Sequence, residues 1–590
     1  MKKGFLLLLS AIIISFFTGC TIQPTPQDKN FSMKILHLND THSHITSERM
    51  KFKVNGKKVY FDVGGYPRII TKIRELSKNN PNHMILNAGD TFQGTLYYSL
   101  FKGKADAKML NLINWDAYEL GNHEFDDGDE ALSNFIDRLN PTIAVLGANI
   151  IPSQKDPLYG KIKPYIIKNF NGTKVAVIGI DEVKKTIESS NPSKDVKFLD
   201  EIQTAQKYID LLTNNGIDKI ILLTHQGYKN DIKMAQNLKG VDIIVGGDSH
   251  TLLGNFDSLG LKSVSKSYPT ITKSKDGKKV CIVQAWEYAH IIGDLNILFD
   301  TNGNVLECKG TPYLLTGDKF LIKNKRGKKV DVDQKLKNEI ITLINNKKNI
   351  SITKEDKNAL ETIKEFKSQV DKQKSIVIGK ALEDLGHNRI PGDKKDGKHI
   401  LPLGSDIAPI VAKAFYDLSK LSDAAIQNAG GVRIAIEKGD ITMGDAYKLL
   451  PFSNTLFEIK MYGKEIKQVL EDAINNIKNG GSTGSFPYAY GLKYDVDMSN
   501  THPVSNLEIK DRKTGKWIPI DMNKLYTIVT NSYTAGGKDG YVTFKKVQDL
   551  RGKGVDTYLD YAMSFVKYVE KNKKIKKLPK EDHPIKSFKK

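Results

Sequence analysis

Hydrophobic runs that stop abruptly at polar residues recur along the first half of the chain. The run Met33 to Leu38 has a buried-strand pattern, and four later apolar runs end in the same way. The polar residues that follow these five runs are Asp40, His42, Asp90, Asn122, His225, Asp248 and His250. Amphipathic segments such as Ile202 to Leu212 separate the runs, which predicts strands alternating with helices in an α/β fold. Because ligands bind outside the carboxyl ends of strands in such sheets, the pattern predicts one shared site.

The donors at this predicted site are oxygen and imidazole groups, without a thiolate. Such donors suit zinc, manganese, iron or cobalt. Taken singly, each residue could be an ordinary loop residue, but recurrence at five strand ends favours a metal site. The donors outnumber the ligands of one ion, and Asp90 is placed to bridge two. Two divalent cations about 3.5 to 4 Å apart support attack of water on phosphorus.

The stretch Gly121 to Asp126 places an amide, an imidazole and a carboxylate close together in sequence. Asn122 can offer its carbonyl oxygen to a hard cation. His123 can protonate a leaving group if Asp126 holds the other ring nitrogen. A simple turn is the alternative for this hexapeptide alone. Together with the residues at the other strand ends, this hexapeptide predicts part of a metal site and the general acid beside it.

Chain length and composition indicate a folded protein of two domains. The 590 residues exceed what one hydrophobic core usually serves, and the contents of 39% hydrophobic and 27% charged residues are ordinary for globular proteins. The net charge of +21 attracts anionic ligands, but the lysines are scattered. Scattered lysines are typical of a solvated surface, so we expect no nucleic-acid partner.

The N-terminus has the pattern of an export signal. Lys2 and Lys3 precede the apolar segment Phe5 to Phe17, which is short for a bilayer span, and Thr18-Gly19-Cys20 follows. This arrangement resembles a bacterial lipobox, which implies a signal peptide over residues 1–19, a lipidated Cys20 and a tether over residues 20–32. We therefore expect an exported lipoprotein, periplasmic or at the cell surface, attached to the membrane through its lipid. An ordinary signal peptide with an incidental cysteine is the alternative.

Two further cysteines, Cys281 and Cys308, lie in strand-like sequence on either side of a probable hairpin. In an oxidising compartment they could form a disulfide. Free thiols are the alternative, and a metal site built from two isolated thiols is not expected.

The strand-end motifs together resemble a known family. They are Asp40-x-His42, Gly89-Asp90, Gly121-Asn122-His123-Glu124, Thr224-His225 and Gly246-Gly247-x-x-His250. This set is similar to the calcineurin-type metallophosphoesterases, and specifically to their secreted 5'-nucleotidase branch. The resemblance implies an N-terminal metallophosphoesterase sandwich that binds two divalent metal ions, such as zinc, manganese or cobalt.

The same resemblance implies two ligand sets. One cation would be held by Asp40, His42, Asp90 and His250, and the other by Asp90, Asn122, His225 and the residue at position 248. Most of the family has a histidine where this chain has Asp248. An aspartate can still bind a cation, so we expect a working site with an altered metal preference.

The chain after the first domain divides into three parts. Residues 33–316 form the predicted metallophosphoesterase domain, and the lysine-rich residues 317–375 are predicted as a helical linker. Residues 376–573 are predicted as a second α/β domain that binds the substrate, and residues 574–590 as a basic tail. An insertion within one large domain is the alternative for the linker.

Three stretches of the second half are typical of nucleotide recognition in this family. They are Gln427 to Arg433, Leu450 to Asn454 and Asn531 to Tyr541. Two aromatic rings can sandwich a base, an arginine can contact phosphate or ribose, and an aspartate can accept from ribose hydroxyls. The resemblance assigns substrate binding to Arg389, Asn428, Arg433, Phe452, Asn454, Gly484, Tyr533 and Asp539.

These features predict a metal-dependent 5'-nucleotidase that releases phosphate from nucleoside 5'-monophosphates. The Gly247 to His250 variant and the stretch His387 to Gly392 resemble the NAD nucleotidases of the family, so the site could also split NAD. A UDP-sugar hydrolase or a 2',3'-cyclic phosphodiesterase is the alternative within the family. A nuclease and an inactive nucleotide-binding surface lipoprotein are the alternatives outside it.

Overall fold

The computed structural model describes residues 30–324, 329–392, 401–450, 452 and 454–590. The predicted signal peptide and the lipidation site at Cys20 lie outside these ranges. Within them, no helix has the length and apolar character needed to cross a membrane.

The first half of the chain contains nineteen strands and nine helices in the described ranges. The strands are β1 (Phe31–Leu38), β2 (Glu48–Val54), β3 (Lys57–Val63), β4 (His83–Asn87), β5 (Ala117–Glu119), β6 (Ala144–Leu146), β7 (Ile150–Pro152), β8 (Tyr165–Phe170), β9 (Thr173–Asp181), β10 (Val196–Phe198), β11 (Ile220–His225), β12 (Ile243–Gly246), β13 (Thr270–Lys273), β14 (Lys279–Val283), β15 (Ile291–Phe299), β16 (Val305–Thr316), β17 (Leu321–Lys323), β18 (Lys329–Asp331) and β19 (Ile350–Ile352). The helices are α1 (Tyr66–Ser77), α2 (Leu96–Phe101), α3 (Lys104–Leu110), α4 (Asp129–Ile136), α5 (Val183–Ser189), α6 (Glu201–Asn214), α7 (Tyr228–Asn237), α8 (Gln334–Asn345) and α9 (Lys357–Gln373).

Two mixed sheets form the centre of the first domain. The larger has the order β18-β17-β3-β16-β15-β1-β4-β5-β6, with β19 beside β16 and β2 beside β3. The smaller has the order β13-β14-β12-β11-β9-β8. Strands β1, β4, β5 and β6 run parallel in the larger sheet, and β9, β11, β12 and β14 run parallel in the smaller. The carboxyl ends of the parallel strands carry the predicted ligands.

The two sheets face each other across a shared hydrophobic core, with helices packed on both outer faces. Ile35 of β1 and Leu223 of β11 belong to the core between the sheets. Their sequence neighbours Leu36 and Leu222 point to the opposite faces, which α1 and α6 respectively cover. Burial on both faces explains why these strands are continuous apolar runs. The predicted α/β sandwich is confirmed.

The disulfide partners lie on different sheets. Cys281 of β14 and Cys308 of β16 are joined by a disulfide with their Cα atoms 6.6 Å apart. Strand β15 lies between them in sequence and pairs with β16. The bond therefore connects the two layers of the sandwich, whereas the sequence pattern had suggested the two sides of a hairpin.

The region predicted as a linker packs onto the first domain. Its strands β17 and β19 pair with β3 and β16 of the larger sheet. Helix α9 packs through Phe366 against Phe101, with ring centroids 5.0 Å apart. Glu355, just before α9, accepts a 2.9 Å ion-pair contact from Arg68 of α1. This region contains the helices α8 and α9, and the sheet of the first domain continues into it past residue 316.

The second half contains twelve strands and six helices in the described ranges. The strands are β20 (Val377–Ala381), β21 (Ala424–Asn428), β22 (Gly439–Thr442), β23 (Thr455–Tyr462), β24 (Pro487–Tyr490), β25 (Leu492–Asp497), β26 (Val504–Lys510), β27 (Trp517–Pro519), β28 (Leu525–Asn531), β29 (Val555–Asp560), β30 (Lys574–Ile575) and β31 (Ile585–Lys589). The helices are α10 (Ile407–Leu418), α11 (Met443–Leu449), α12 (Gly463–Lys478), α13 (Ser532–Ala535), α14 (Val542–Arg551) and α15 (Tyr561–Asn572).

Three sheets build the second domain, in the orders β22-β20-β30, β24-β21-β28-β23-β29 and β27-β26-β25-β31. The segment 574–590, predicted as a basic tail, supplies β30 and β31 to two of these sheets. Ile585 is buried beside Tyr494 of β25. The burial of Ile585 therefore places this segment in the domain, although its lysines had suggested a basic tail.

Candidate active site

The strand ends of both sheets meet at one buried cluster in the first domain. Asp40 and His42 follow β1, Asp90 follows β4 and Asn122 follows β5, all in the larger sheet. His225 ends β11 of the smaller sheet, and its Nε2 lies 2.9 Å from Asp90 Oδ2. The convergence predicted from the sequence therefore joins the edges of two sheets.

Two groups of side chains have the spacing needed to hold a metal ion. One consists of Asp40, His42 and His250, and the other of Asp40, Asp90 and His225. Asp40 is common to both groups. Asp90 also faces both, because its Oδ2 atom lies 3.8 Å from His42 Nε2 as well as 2.9 Å from His225 Nε2. Bridging by Asp90 stays a prediction.

The histidine rings are oriented by contacts at their outer nitrogens. Nδ1 of His42 lies 2.8 Å from the Phe92 carbonyl, and Nδ1 of His225 lies 2.6 Å from the Ala88 carbonyl. Nδ1 of His250 lies 2.7 Å from the Glu287 carboxylate. Each contact leaves Nε2 directed inward, which is how proteins orient histidines that bind metals.

Buried polar atoms without protein partners support the fit to cations. Among the described residues, both amide atoms of Asn122 and Nε2 of His123 have no hydrogen-bond partner. Asn122 is fully buried, and an unpaired buried amide is costly. Carboxylate, amide and imidazole donors around one space fit divalent metal ions.

Electrostatics within the cluster match a cation site. Burial opposes charging of His225, but Asp90 and Asp40 outweigh it and raise the pKa of His225 well above its usual value. Burial likewise opposes charging of His250, yet Asp40 and Glu287 raise its pKa to about 10. The carboxylates therefore favour positive charge in a space closed to solvent.

The backbone at the predicted ligands is strained. Five of them have φ in the left-handed region, at 51° for Asp40, 44° for His42, 54° for Asp90, 72° for Asp248 and 47° for His250. Such conformations cost about 1–3 kcal/mol each for residues other than glycine and cluster at functional sites. The strain is consistent with a surrounding structure that fixes these side chains for binding.

His123 and Asp126, which are predicted to act as an acid pair, are in direct contact. His123 is the second residue of the short 3₁₀ segment Asn122–Phe125, and its Nδ1 lies 2.6 Å from Asp126 Oδ2. Burial opposes charging of the ring, but Asp126 and Asp90 raise the pKa of His123 above its usual value. The arrangement can keep a proton on His123 and present Nε2 toward the cluster.

Glu124, which the sequence reasoning quoted but gave no role, holds the two strand ends together. Its carboxylate accepts hydrogen bonds from the backbone N–H groups of Gly121 at 2.8 Å, Asp90 at 3.0 Å and Thr91 at 2.8 Å. It also accepts from the Tyr118 hydroxyl at 2.8 Å. A Cβ atom at Gly121 would clash with Asp90 Oδ1, so glycine is required where the strand ends approach.

Asp248 occupies a different position from the other predicted ligands. Its backbone N–H donates to Asp40 Oδ1 at 3.1 Å, but its carboxylate forms an ion pair with Lys185 of α5. The carboxylate belongs to neither metal-binding group of the described residues. Coordination by Asp248 stays a prediction.

Tyr558 of the second domain was missed by sequence reasoning, and no motif surrounds it. Its ring stacks on His42 at 4.9 Å and on His250 at 4.7 Å between centroids. It meets His123 edge-on at 4.9 Å, and its hydroxyl donates to the Asp248 carbonyl. The second domain therefore covers the cluster with an aromatic ring.

Three of the predicted base-binding residues of the second domain are connected through Asp539. Asn428 Nδ2 donates to Asp539 Oδ2 at 3.1 Å, and the Tyr533 hydroxyl lies 3.5 Å from Asp539 Oδ1. The rings of Phe452 and Tyr533 are 43% and 44% exposed, as rings available for stacking should be.

The remaining predicted residues have other contacts within the second domain. The Arg433 guanidinium lies 5.6 Å from the centroid of the Phe452 ring and donates to the Gly430 carbonyl at 3.1 Å. A Cβ atom at Gly484 would lie 3.0 Å from Gly430 Cα, so this glycine packs against the same turn. Arg389 and Asn454 are partly buried and bond through their carbonyls to Tyr488 at 3.4 Å and Tyr561 at 3.1 Å.

The fold and the cluster define a metal-dependent phosphohydrolase. Residues 33–252 match the calcineurin-like phosphoesterase family, and residues 383–546 match the 5'-nucleotidase C-terminal domain. The chain is 40% identical to a NAD 5'-nucleotidase of Haemophilus influenzae over 582 residues, covering 97% of this chain and 96% of the relative. It is 36% identical to a probable 5'-nucleotidase of Treponema pallidum, covering 92% of each.

The solved structure of Haemophilus influenzae NAD nucleotidase superposes with a TM-score of 0.85 at 38% identity, covering 95% of this chain and 99% of that one. The chain belongs to the 5'-nucleotidase family, and the family predicted from its strand-end motifs is confirmed.

Proposed function

We propose that this enzyme hydrolyses nucleoside 5'-monophosphates to nucleoside and phosphate, and that it also splits the pyrophosphate of NAD. The observation that carries the proposal is the buried cluster of Asp40, His42, Asp90, His225 and His250 beside the unpaired Nε2 of His123. Similarity over 97% of the chain to an enzyme named NAD 5'-nucleotidase supports the second substrate.

The residues of the cluster would hold two divalent cations. One position has Asp40, His42 and His250 as donors, and the other has Asp40, Asp90 and His225. Asn122 adds an amide oxygen and Asp248 adds a carboxylate under this proposal. When bound, such cations activate water for attack on phosphorus and neutralise charge on the phosphoryl oxygens. Zinc, manganese and cobalt suit these donors.

His123 acts as the general acid under this proposal. It gives the proton on Nε2 to the departing ester oxygen, while the Asp126 carboxylate at Nδ1 stabilises the imidazolium. The carboxylates around His123 favour its charged form, which supports the role.

The second domain would bind the nucleoside through Phe452 and Tyr533 as stacking rings and Asp539 as a ribose acceptor. Asn428, Arg433, Asn454, Gly484 and Arg389 would complete the nucleotide site. Tyr558 lies over the metal-binding cluster, so a substrate phosphate requires this ring to move. We infer that the second domain rotates about the linker between loading the substrate and hydrolysis.

The N-terminal pattern supports an exported enzyme anchored by a lipid on Cys20. Metabolic labelling with a fatty-acid analogue tests this directly. Label on the wild type and none on Cys20→Ser supports the anchor, whereas equal label on both rejects it.

A substrate panel tests the activity. Purified protein is loaded with zinc, manganese or cobalt and given AMP, NAD, UDP-glucose, a 2',3'-cyclic nucleotide and single-stranded DNA. We expect phosphate from AMP, and from NAD two mononucleotides as the first products, followed by phosphate as these are hydrolysed in turn. Preferred hydrolysis of UDP-glucose, the cyclic nucleotide or DNA would replace the proposal with one of the alternatives.

A further inference from the structure

The side chain of Lys185 lies in the wall of the metal-binding cluster, although no motif pointed to it. Lys185 is in the first turns of α5, shortly after β9, and its side chain is only 15% exposed. Its ammonium forms an ion pair with Asp248, whose side chain is 16% exposed. Lysine ammonium groups are strongly hydrated, so one held this far from solvent needs a structural or functional reason.

The ring of Tyr558 lies between Lys185 and the metal-binding cluster and contacts both. The Lys185 ammonium lies 4.3 Å from the centroid of that ring. The same ring lies 4.9 Å from His123 and stacks on His42 and His250. Lys185 and the general acid therefore border one volume, which the ring fills in this structure. A phosphoryl group that displaces the ring enters a space with His123 and Lys185 on its walls.

We propose that Lys185 binds the leaving phosphate of dinucleotide pyrophosphates and thereby sets the preference for them over nucleoside monophosphates. This inference rests on the proposed function.

The chemistry explains why the two substrate classes should differ. In pyrophosphate hydrolysis, the oxygen of water bonds to the attacked phosphorus, the protons of that water pass to solvent, and the bond from that phosphorus to the bridging oxygen breaks. The bridging oxygen leaves with the electron pair on a second phosphate, which is already anionic. An ammonium stabilises that departing charge. In monophosphate hydrolysis the leaving group is a ribose oxygen, which needs the proton of His123 and carries no phosphate for Lys185 to bind.

A simpler role for Lys185 is neutralisation of Asp248 alone. In that case, removing the ammonium would disturb the metal-binding cluster and lower the rate of hydrolysis of both substrates by the same factor. Comparing the two substrates separates this positioning role from contact with a leaving phosphate.

The test uses the metal-loaded full chain as the wild type, Lys185→Met, Lys185→Gln and Lys185→Arg. Lys184→Met is the matched control, because Lys184 is the exposed neighbour on the same helix. The measurements are kcat/KM for NAD and AMP, metal content by mass spectrometry, and calorimetric binding of inorganic pyrophosphate and orthophosphate. Lys185→Gln keeps a donor for Asp248 and serves if the methionine variant does not fold.

We expect both neutral variants to lose about 10- to 100-fold in kcat/KM for NAD, the value of a charge-assisted hydrogen bond, and less than about threefold for AMP. Pyrophosphate binding should weaken by a similar factor, with orthophosphate binding and metal content nearly unchanged. Lys185→Arg and Lys184→Met should stay within about threefold of the wild type on both substrates.

Equal losses for NAD and AMP, or no loss in either neutral variant, would overturn the inference. A wild type that hydrolyses AMP but not NAD would overturn it too, while leaving the nucleotidase activity standing. A wild type inactive on both refutes the proposed function instead, and the difference between pyrophosphate and orthophosphate binding then decides the role of Lys185.

Discussion

Replacement of His123 by alanine tests the assignment of the general acid. The imidazole is 1% exposed, with Nδ1 held 2.6 Å from Asp126. The hydrogen bond from residue 123 to the metal-binding cluster comes from its backbone, whose N–H donates to Asp90 Oδ1 at 3.0 Å, and its ring meets the His42 ring edge-on with centroids 5.3 Å apart. Because alanine keeps that N–H, His123→Ala should retain the metal-binding geometry while losing the proton donor.

The magnitude follows from what the ring supplies. General acid catalysis contributes about 100- to 10,000-fold, or about 2.7–5.4 kcal/mol of transition-state stabilisation. That loss should appear in full for AMP, because the ribose oxygen leaves poorly without a proton. With 4-nitrophenyl phosphate the loss should be less than about fivefold, because a stable anion departs without protonation.

The assay compares kcat for AMP and for 4-nitrophenyl phosphate in the wild type, His123→Ala and Asp126→Asn, with metal content measured on the same samples. Asp126→Asn keeps the ring but removes its carboxylate partner, so we expect a smaller loss on AMP. Equal loss on both substrates with full metal content would show that His123 is not the acid. A loss of metal from His123→Ala would instead assign this residue to the metal-binding machinery.

Three further predictions concern the cluster, the base site and the core. Asp90→Asn should remove metal and activity together, because Asp90 faces His42 and His225; full metal content would contradict this. Phe452→Ala should raise KM for AMP about tenfold with little change for 4-nitrophenyl phosphate, since only AMP stacks a base; equal effects would place the pocket elsewhere. Burial lowers the pKa of His37 to about 3, so the unfolded chain takes up its proton first as pH falls below about 6.5. Between pH 7.5 and 5, urea unfolding should show the wild type losing about 2 kcal/mol more stability than His37→Gln, and equal losses would refute this account.

The local sequence was sufficient to predict the strands of the first domain and the position of its metal-binding cluster, because both predictions depend on residues close together in the chain. An apolar run buried on both faces has few alternatives to a strand, and the polar residue after it must lie at the strand end. Asp40, His42, Asp90 and His225 each occupy such a position. Five strand ends could therefore be assigned to one site without knowing how the two sheets are arranged.

The sequence was less informative for segments whose structure depends on contacts with residues far away in the chain. The lysine-rich segment 574–590 had the composition of a solvated tail, yet β31 pairs with β25 because Ile585 is buried there. The two disulfide cysteines lie in strand-like sequence that had suggested the two sides of a hairpin, but they join β14 and β16 across the sandwich. A local sequence motif spans only a few residues, so it does not predict which distant strands pair with each other.

The residue types in the strand-end motifs determined by themselves that this chain carries a metal-dependent phosphohydrolase site. Only the tertiary structure placed Lys185 and Tyr558 beside His123, although Tyr558 is 435 positions away from it in the chain. The physical reason is the range of the interactions. Ligand motifs are set by strand geometry over a few residues. The ion pair of Lys185 with Asp248 depends instead on how distant segments of the first domain pack, and the stacking of Tyr558 depends on how the two domains pack.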